Sequence, residues 1–451
     1  MSIAGERKWV YTATVKGRFQ RIHRWSGLAL QAVLFLVPWV TIGGHPLLLV
    51  DLPLRRLFFL GEVYTPEDAI FVVLIGLFTA FSMFFLTALY GRLWCGYACP
   101  QTVFLEEWIR PLETLIEGER GAAMARDRGP WTLERASRKL LKWFAFAAVS
   151  VVVALAFQSY FSGAWALWTG TASTAAYAMV GVWSATMFLD FAWFREQFCN
   201  YLCPYARFQG ALTDDESLVI SYKRSTGEPR RVAAQRIDRV SLHEASTGAC
   251  INCKKCVAAC PQGIDIREGF QLECIACGRC IDACENVMEK FHRPGLIAYT
   301  TTAAEQGLQT RFLRPRTVAY AALLTVIAGA FVVLAAGRQE IDASVVRAPG
   351  TLYTVDPDGS VRNTYLLRVT NTDSSRRAEY RVAVDGLDGA EVIVPPLSVE
   401  PAASVTVPVV VRLPGGRHSA RTTPLEVVVA TEESRVVLKA TFKTDEPRGG
   451  S

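Results

Sequence analysis

Histidine is scarce in this sequence, five among 451 residues. His23, His45, His243, His292 and His418 form no HxxH or HExxH spacing, which excludes a helix-borne histidine zinc centre of the metalloprotease kind. Each reads as a solvated or interfacial side chain, with His45 near the outer end of the first apolar run. No glycine loop stands in a strand–helix context that would bind a dinucleotide, and there is no flavin motif. A basic stripe with interleaved aromatics is missing too. The net charge is +6 and the Lys and Arg are dispersed among acids, so no nucleic-acid partner is expected. No cleavable signal peptide is apparent, since Arg7, Lys8, Lys16, Arg18, Arg21 and Arg24 precede the first apolar run at Trp25. Cysteine is absent from everything except four tight groups: Cys95/Cys99, Cys199/Cys203, Cys250 to Cys260, and Cys274 to Cys284. That clustering excludes a disulfide scaffold and has metal-ligand spacing.

What the chain does have is apolar length. Hydrophobic residues make up 51% and charged ones 20%, with mean hydropathy +0.21, which is too apolar for an ordinary soluble protein. A membrane helix needs about 20 apolar residues. Trp25–Val50, Ala69–Gly91 and Thr317–Gly337 are candidate spans, and Trp143–Leu189 is long enough for two, joined near Ser162–Gly170. Five transmembrane helices are predicted. Arg and Lys crowd the N-terminal arm, the stretch Arg92–Lys142 and the stretch Arg195–Arg316. By the positive-inside rule these are cytoplasmic, and everything after Gly337 is periplasmic, in a bacterial inner membrane.

The tail from Gln339 to Ser451 carries short alternating or β-branched runs, Tyr365–Val369, Tyr380–Val384, Val405–Val411, Leu425–Val429 and Val436–Phe442. Turn-rich pieces such as Asp356–Gly359 and Pro414–Gly416 separate them. The pattern predicts an antiparallel β-sandwich of immunoglobulin type. The expected organisation is an N-terminal arm (1–25), a four-helix membrane region (26–245), a ferredoxin-like domain (246–300), a linker with the fifth helix (301–338) and the exported sandwich (339–451).

Cys250-x2-Cys253-x2-Cys256-x3-Cys260-Pro261 is followed by Cys274-x2-Cys277-x2-Cys280-x3-Cys284, the two-cluster ferredoxin arrangement. In that arrangement the fourth cysteine of each run crosses to the other cluster. Cys250, Cys253, Cys256 and Cys284 are assigned to one [4Fe–4S] cluster, and Cys274, Cys277, Cys280 and Cys260 to the other. Structural zinc favours paired CxxC hooks with four ligands per site, which this spacing does not offer. Glu285 follows Cys284 where ferredoxins usually carry proline, which removes no ligand.

Cys95-Gly-Tyr-Ala-Cys99-Pro100 and Cys199-Asn-Tyr-Leu-Cys203-Pro204 follow the second and fourth helices. Spacing of i and i+4 puts each pair on one side of a helix, and two facing pairs would offer four soft sulfur ligands. Three readings compete on these residues: buried structural cysteines, a redox disulfide within each pair, and a soft-metal site for copper, zinc or iron–sulfur. Duplication of the motif favours the metal, and spacing alone does not choose copper. Asp190 reads either as a proton or metal relay or as an interfacial carboxylate paired with Arg195. Glu106 and Glu107 are expected on a solvated amphipathic helix.

Together these motifs resemble the cytochrome c oxidase accessory proteins of the FixG, CcoG or RdxA type. The resemblance is carried by Gly91-Arg-Leu-Trp-Cys-Gly-Tyr-Ala-Cys-Pro-Gln-Thr102, Arg195-Glu-Gln-Phe-Cys-Asn-Tyr-Leu-Cys-Pro-Tyr205, Gly227-Glu-Pro229, Gly263-Ile-Asp-Ile266, Glu273-Cys-Ile-Ala-Cys277 and Gly295-Leu-Ile297. It implies a membrane cupric reductase that turns Cu(II) into Cu(I) for a cbb3-type cytochrome oxidase. The implied partners are an assembly factor or copper chaperone and an unidentified electron donor. Copper would be held at Cys95, Cys99, Cys199 and Cys203. The main rival is a quinol-linked subunit like the polyferredoxins of periplasmic nitrate and nitrous oxide reduction, which share both motif types. The exported sandwich favours the oxidase family. A cluster-based redox sensor without turnover is a third reading.

Overall fold

The computed structural model describes residues 9–53, 55–64, 68–230, 248–337, 341–371, 376–401, 403–414, 421–432 and 434–444. Arg7, Lys8, His243, His418 and Gly416 lie outside them. The chain forms two compact units, Met1–Trp39 with Ile70–Phe331, and Val40–Ala69 with Val332–Ser451.

In the first unit, apolar sequence produces long helices. Among the described residues, four are long and apolar enough to cross a membrane: Ala69–Tyr90, Leu133–Ser162, Thr174–Phe194 and Pro315–Ala336. Ala69–Tyr90 and Pro315–Ala336 bury little of their surface against protein, as suits helices whose backbone is satisfied internally and whose side chains face lipid. The long charge-free run divides where Gly163 takes φ 76, a left-handed geometry that glycine adopts without a Cβ clash. Thr132 and Ser173 cap the two helices through their side-chain oxygens.

The first expected span takes a different form. Trp25–Val50 is not one helix. The helix runs Arg18–Leu36, a short turn comes next at Val37–Trp39, and the chain then enters small antiparallel hairpins between Thr41 and Tyr64. The early start has a physical cause. The buried carboxylate of Asp282 accepts from the backbone nitrogens of Phe19 (3.1 Å) and Gln20 (2.7 Å), satisfying donors that a helix N-terminus leaves unpaired. Pro38 and the positive-φ pair Gly43–Gly44 end the apolar run as a helix.

The cysteine-rich segment packs on a two-stranded antiparallel ribbon, Leu218–Tyr222 with Ile297–Thr301. Its helices are Lys255–Ala259 and Arg279–Met288, and Ile220, Tyr222, Ile266, Ile281, Met288 and Ile297 fill the core.

In the second unit, one sheet orders Glu391–Ile393, Ser404–Leu413, Val361–Asn371 and Ile341–Arg347, with Thr354–Val355 on the central strand's edge. The other orders Leu397–Val399, Ala378–Asp385, Thr422–Ala430 and Arg435–Lys443. All pairings are antiparallel. Alternation along Val361–Leu367 sends Val361, Tyr365 and Leu367 inward, and both sheets contribute to one core with Val409, Val427 and Phe442. The five runs read from the sequence each lie within one of these strands.

Candidate functional site

The two cysteine runs line two partly open cavities of nearly equal size, each volume counting space open to solvent. The first, about 380 Å³, is lined by Cys250, Cys253, Cys256 and Cys284. The second, about 340 Å³, is lined by Cys260, Cys274, Cys277 and Cys280, with Cys256 at its edge. Cys284 therefore stands with the first run and Cys260 with the second, the crossed arrangement of a two-cluster ferredoxin. Each cavity offers four soft thiols, the donor set of a [4Fe–4S] cluster. Among the described residues no three His, Cys, Asp or Glu converge as a site for a single ion, and both cavities suit a group wider than one ion. Burial pushes the Cys274 thiol up to about 11 and those of Cys256 and Cys277 to about 12. Such thiols stay neutral until a metal displaces their protons, so loading releases acid.

The local backbone explains how short segments surround a cavity. Lys254 and Gly278 are left-handed at φ 55 and 76 immediately before the two helices, which turns the cysteine loops back over the helix starts.

The two CxxxCP motifs meet beside the second cavity. Neither occupies one continuous α-helix, which corrects the i, i+4 picture. Cys95 lies in the short helix Leu93–Tyr97, while Cys99 is extended ahead of Pro100–Phe104. Cys199 lies in the π-helical turn Phe198–Leu202, while Cys203 is extended ahead of Pro204–Leu212. The proline after each second cysteine disfavours helical backbone at that cysteine. The motifs are joined to one another. Arg92 donates to the carbonyl of Ala206 (2.8 Å), Gln101 donates to the carbonyl of Arg195 (3.1 Å), and Thr87 and Tyr205 share a hydroxyl hydrogen bond. Gln209, fully buried, reaches from the second motif's helix to place its amide nitrogen 3.3 Å from the sulfur of Cys95. Burial pushes Cys95 up to about 11, with Cys99 and then Cys203 raising it further against the opposing effects of Gln209 and Arg92. Burial also raises Cys199, followed by the charges of Cys99, Cys95 and Cys203. The four sulfurs thus share one electrostatic neighbourhood.

The first motif is also seated on the second cavity's loop. Gly96 has no room for a side chain, because a Cβ there would stand 2.6 Å from the carbonyl oxygen of Ile275 and 2.9 Å from Cα of Cys277. The hydroxyl of Tyr97 donates to the carbonyl of Cys277 (3.1 Å) and pairs with that of Tyr299 (3.1 Å).

Sequence reasoning missed the buried ionic network around this junction. Glu106 is 8% exposed and is held between Arg110 (2.9 Å) and Arg279. Arg110 also donates to the carbonyl of Pro261 (2.9 Å). Burial alone would raise the Glu106 carboxyl, but Arg110 and then Arg279 hold it below the usual range. Glu107 pairs with the ring of His23 (3.0 Å), a histidine only 1% exposed. The solvated placement expected for these three residues is therefore corrected; Leu105–Ile109 forms a buried π-helical turn. Arg195 is corrected too. Its guanidinium grips Glu113 through two bonds of 2.7 and 2.8 Å, and it meets Asp190 through its backbone nitrogen on the Asp190 carbonyl. The i, i+4 spacing of Glu106 and Arg110 signals one of these pairs, but the partner Arg279 is 173 residues distant.

Comparison with known proteins agrees with this architecture. A 4Fe-4S dicluster domain matches residues 194–302, a 4Fe-4S binding domain matches 70–116, and an IG-like fold at the C-terminus of FixG matches 331–444. Protein RdxA of Cereibacter sphaeroides is 35% identical over 90% of this chain and 87% of its own length. Nitrogen fixation protein FixG of Rhizobium meliloti is 31% identical over 95% and 88%. Protein RdxB of Cereibacter sphaeroides is 35% identical over 90% and 87%. The chain belongs to the FixG/RdxA family.

As a FixG/RdxA protein it is an iron–sulfur electron-transfer protein of the membrane, with 4Fe-4S domains and an immunoglobulin-like C-terminal domain. A crystal structure titled as a FixG-related protein from Vibrio parahaemolyticus is 21% identical, covering 24% of this chain and 99% of that chain at a TM-score of 0.22. Two FixG/RdxA-site residues, Tyr97 and Gln209, carried only faint signals in the sequence. Tyr97 has a counterpart at the same motif position, Tyr201, but that residue is 47% exposed; nothing in the spacing says which tyrosine docks.

Proposed function

We propose that this FixG/RdxA protein reduces Cu(II) to Cu(I) at Cys95, Cys99, Cys199 and Cys203. The product would serve assembly of a cbb3-type cytochrome oxidase, by way of a copper chaperone or assembly factor. Cys250, Cys253, Cys256 and Cys284 would hold one [4Fe–4S] cluster, and Cys260, Cys274, Cys277 and Cys280 the other. The arginine-rich loops support a cytoplasmic position for these sites at a bacterial inner membrane, with five crossings and a periplasmic sandwich. On this reading the Arg18–Leu36 helix and the Val37–Trp39 turn make the first crossing.

The observation that carries the reading is the seating of the first CxxxCP loop on the second cavity, Gly96 against Ile275 and Cys277 and the Tyr97 hydroxyl on the Cys277 carbonyl. Bound in the cavities, [4Fe–4S] clusters supply one-electron transfer at low potential, which matches the one-electron Cu(II)/Cu(I) couple. The chain's own residues do the rest. Four soft sulfurs in one electrostatic neighbourhood would favour Cu(I) over harder cations if they closed on the ion. Gln209 donates to Cys95 and fixes that sulfur's direction. The buried pairing of Glu106 with Arg110 and Arg279 keeps two cations beside the second cavity, where they offset the negative charge of thiolate ligands.

A second reading draws on a separate finding. The 4Fe-4S binding domain matched at 70–116 contains only Cys95 and Cys99, so those cysteines would join Cys199 and Cys203 in holding iron. Cys95→Ser with Cys203→Ser separates the two. Copper reduction predicts lost copper binding, with iron unchanged at about eight per chain for two clusters. If iron falls together with copper, the second reading holds.

A further inference from the structure

Of the twelve cysteines only Cys253 is exposed, and its position makes the first cavity the more open of the two. The second cavity is closed on the side of the first motif by Gly96 and Tyr97, and Arg110 bonds the carbonyl of Pro261 beside it. Cys277 and Cys280 are buried. The first cavity reaches the surface at the loop Cys253–Lys254–Lys255, all three exposed.

Cations outnumber acids around that opening. Lys254 lines the cavity itself, and Lys255 is its neighbour in the chain. Lys223 lies at the end of the ribbon, its backbone nitrogen on the carbonyl of the cavity-lining Leu296 (2.8 Å). Lys290 comes two residues after the cavity-lining Met288. Asp265 is paired with Arg267 (2.5 Å), and Arg230 is shared between Glu228 (3.0 Å) and Glu268 (3.0 Å). Glu285 and Glu289 are the remaining exposed acids on the adjoining helix and turn, so cations lead on this rim. Lys254 and Lys255 form no ion pair among the described residues, which leaves their field free to act on a partner.

We propose that the Cys253–Lys255 rim is the docking surface for a small acidic one-electron carrier protein, which delivers electrons to the site formed by Cys250, Cys253, Cys256 and Cys284. The inference deepens the function proposed above by naming the class of electron donor and its point of entry. Opposite charge steers diffusional encounter and raises the association rate by about 10- to 1,000-fold at low salt. The one exposed cysteine of the chain directly precedes Lys254 and Lys255. The electron count is simple. The reduced carrier would lose one electron and be oxidised by one unit, the [4Fe–4S] cluster that these four cysteines would hold would accept that electron, and no bond forms or breaks and no proton moves. Entry is thus placed at the first cavity, while the first CxxxCP motif is seated beside the second.

The test uses the full-length protein in detergent, oxidised and free of copper, mixed with a reduced acidic two-cluster ferredoxin. Bleaching of the iron–sulfur absorbance is followed by stopped flow across a salt series. For the unaltered protein the second-order rate should fall steeply with rising salt. Lys254→Glu with Lys255→Glu should lower the low-salt rate about tenfold or more and flatten the salt dependence. Iron content, the EPR spectrum and bleaching by dithionite should stay unchanged. Equal rates for variant and parent, or a parent rate indifferent to salt, would overturn the proposal. So would a variant whose only defect is weaker binding to phosphatidylglycerol vesicles, because the patch would then be a membrane contact. Copper is absent throughout, so failure here leaves cupric reduction standing. Iron-free protein, by contrast, would remove the cluster assignment itself.

Discussion

The Tyr97 hydroxyl stands 3.1 Å from the carbonyl oxygen of Cys277, joining residues 180 positions apart. It is a side-chain link between the first CxxxCP motif and the loop of the second thiol cavity, and it places Cys95 and Cys99 two residues either side of the contact.

Tyr97→Phe should retain iron at the parental level and slow Cu(II) reduction in the dithionite-reduced protein several-fold, read by stopped flow. Two hydroxyl contacts are lost, to Cys277 and Tyr299, costing about 1–3 kcal/mol of local stability. Tyr201→Phe should leave the rate unchanged, since Tyr201 is exposed on the second motif.

Enlarging Gly96 should act on the same junction by displacement. In Gly96→Val the new side chain meets backbone atoms, which cannot rotate away as a flexible side chain could. The loop must lift, and the expected signature is a changed EPR line for one cluster while the other is unaltered.

Glu106→Gln leaves Arg110 and Arg279 buried without their shared counter-charge. Breaking a buried pair by removing one partner costs about 3–5 kcal/mol. Denaturant unfolding should register that loss, and iron should be shed more readily from the variant than from Glu106→Asp.

Acid should have the same effect on the parent. Arg110 holds Glu106 and Arg195 holds Glu113 below the ordinary carboxylate range, each overcoming the opposing effect of burial. Depressed folded-state values stabilise above the unfolded pKa, about 4.3 for Glu, and that contribution is lost as pH falls through the folded values. Iron–sulfur absorbance followed against pH should therefore hold near neutrality and collapse below about pH 4. An alkaline collapse with no acid transition would count against this network.

Gln209→Leu keeps the volume but deletes the donor to Cys95. Titration with a Cu(I) chelator should show weaker retention of copper, while the iron content stays at the parental level.

Much of this protein was legible in one dimension because its chemistry is local. Thiols at two- and three-residue gaps state their own cluster, and alternation in Tyr365–Val369 or Val405–Val411 states its own strand, since period and spacing act over a few residues. The run Trp25–Val50 misled because charge pattern sets hydropathy but does not set a helix start. Asp282, distant in sequence, caps the helix at Arg18 and begins it seven residues before Trp25.

Sequence by itself determined the eight-thiol arrangement, the apolar helices and the β-rich tail. Tertiary structure alone decided that Glu106 and His23 are buried, that Tyr97 rather than Tyr201 docks, and that Cys253 opens to solvent. The reason is that ion pairs, caps and close backbone approach depend on what a distant segment places opposite a residue, and a single chain's periodicity carries no record of that.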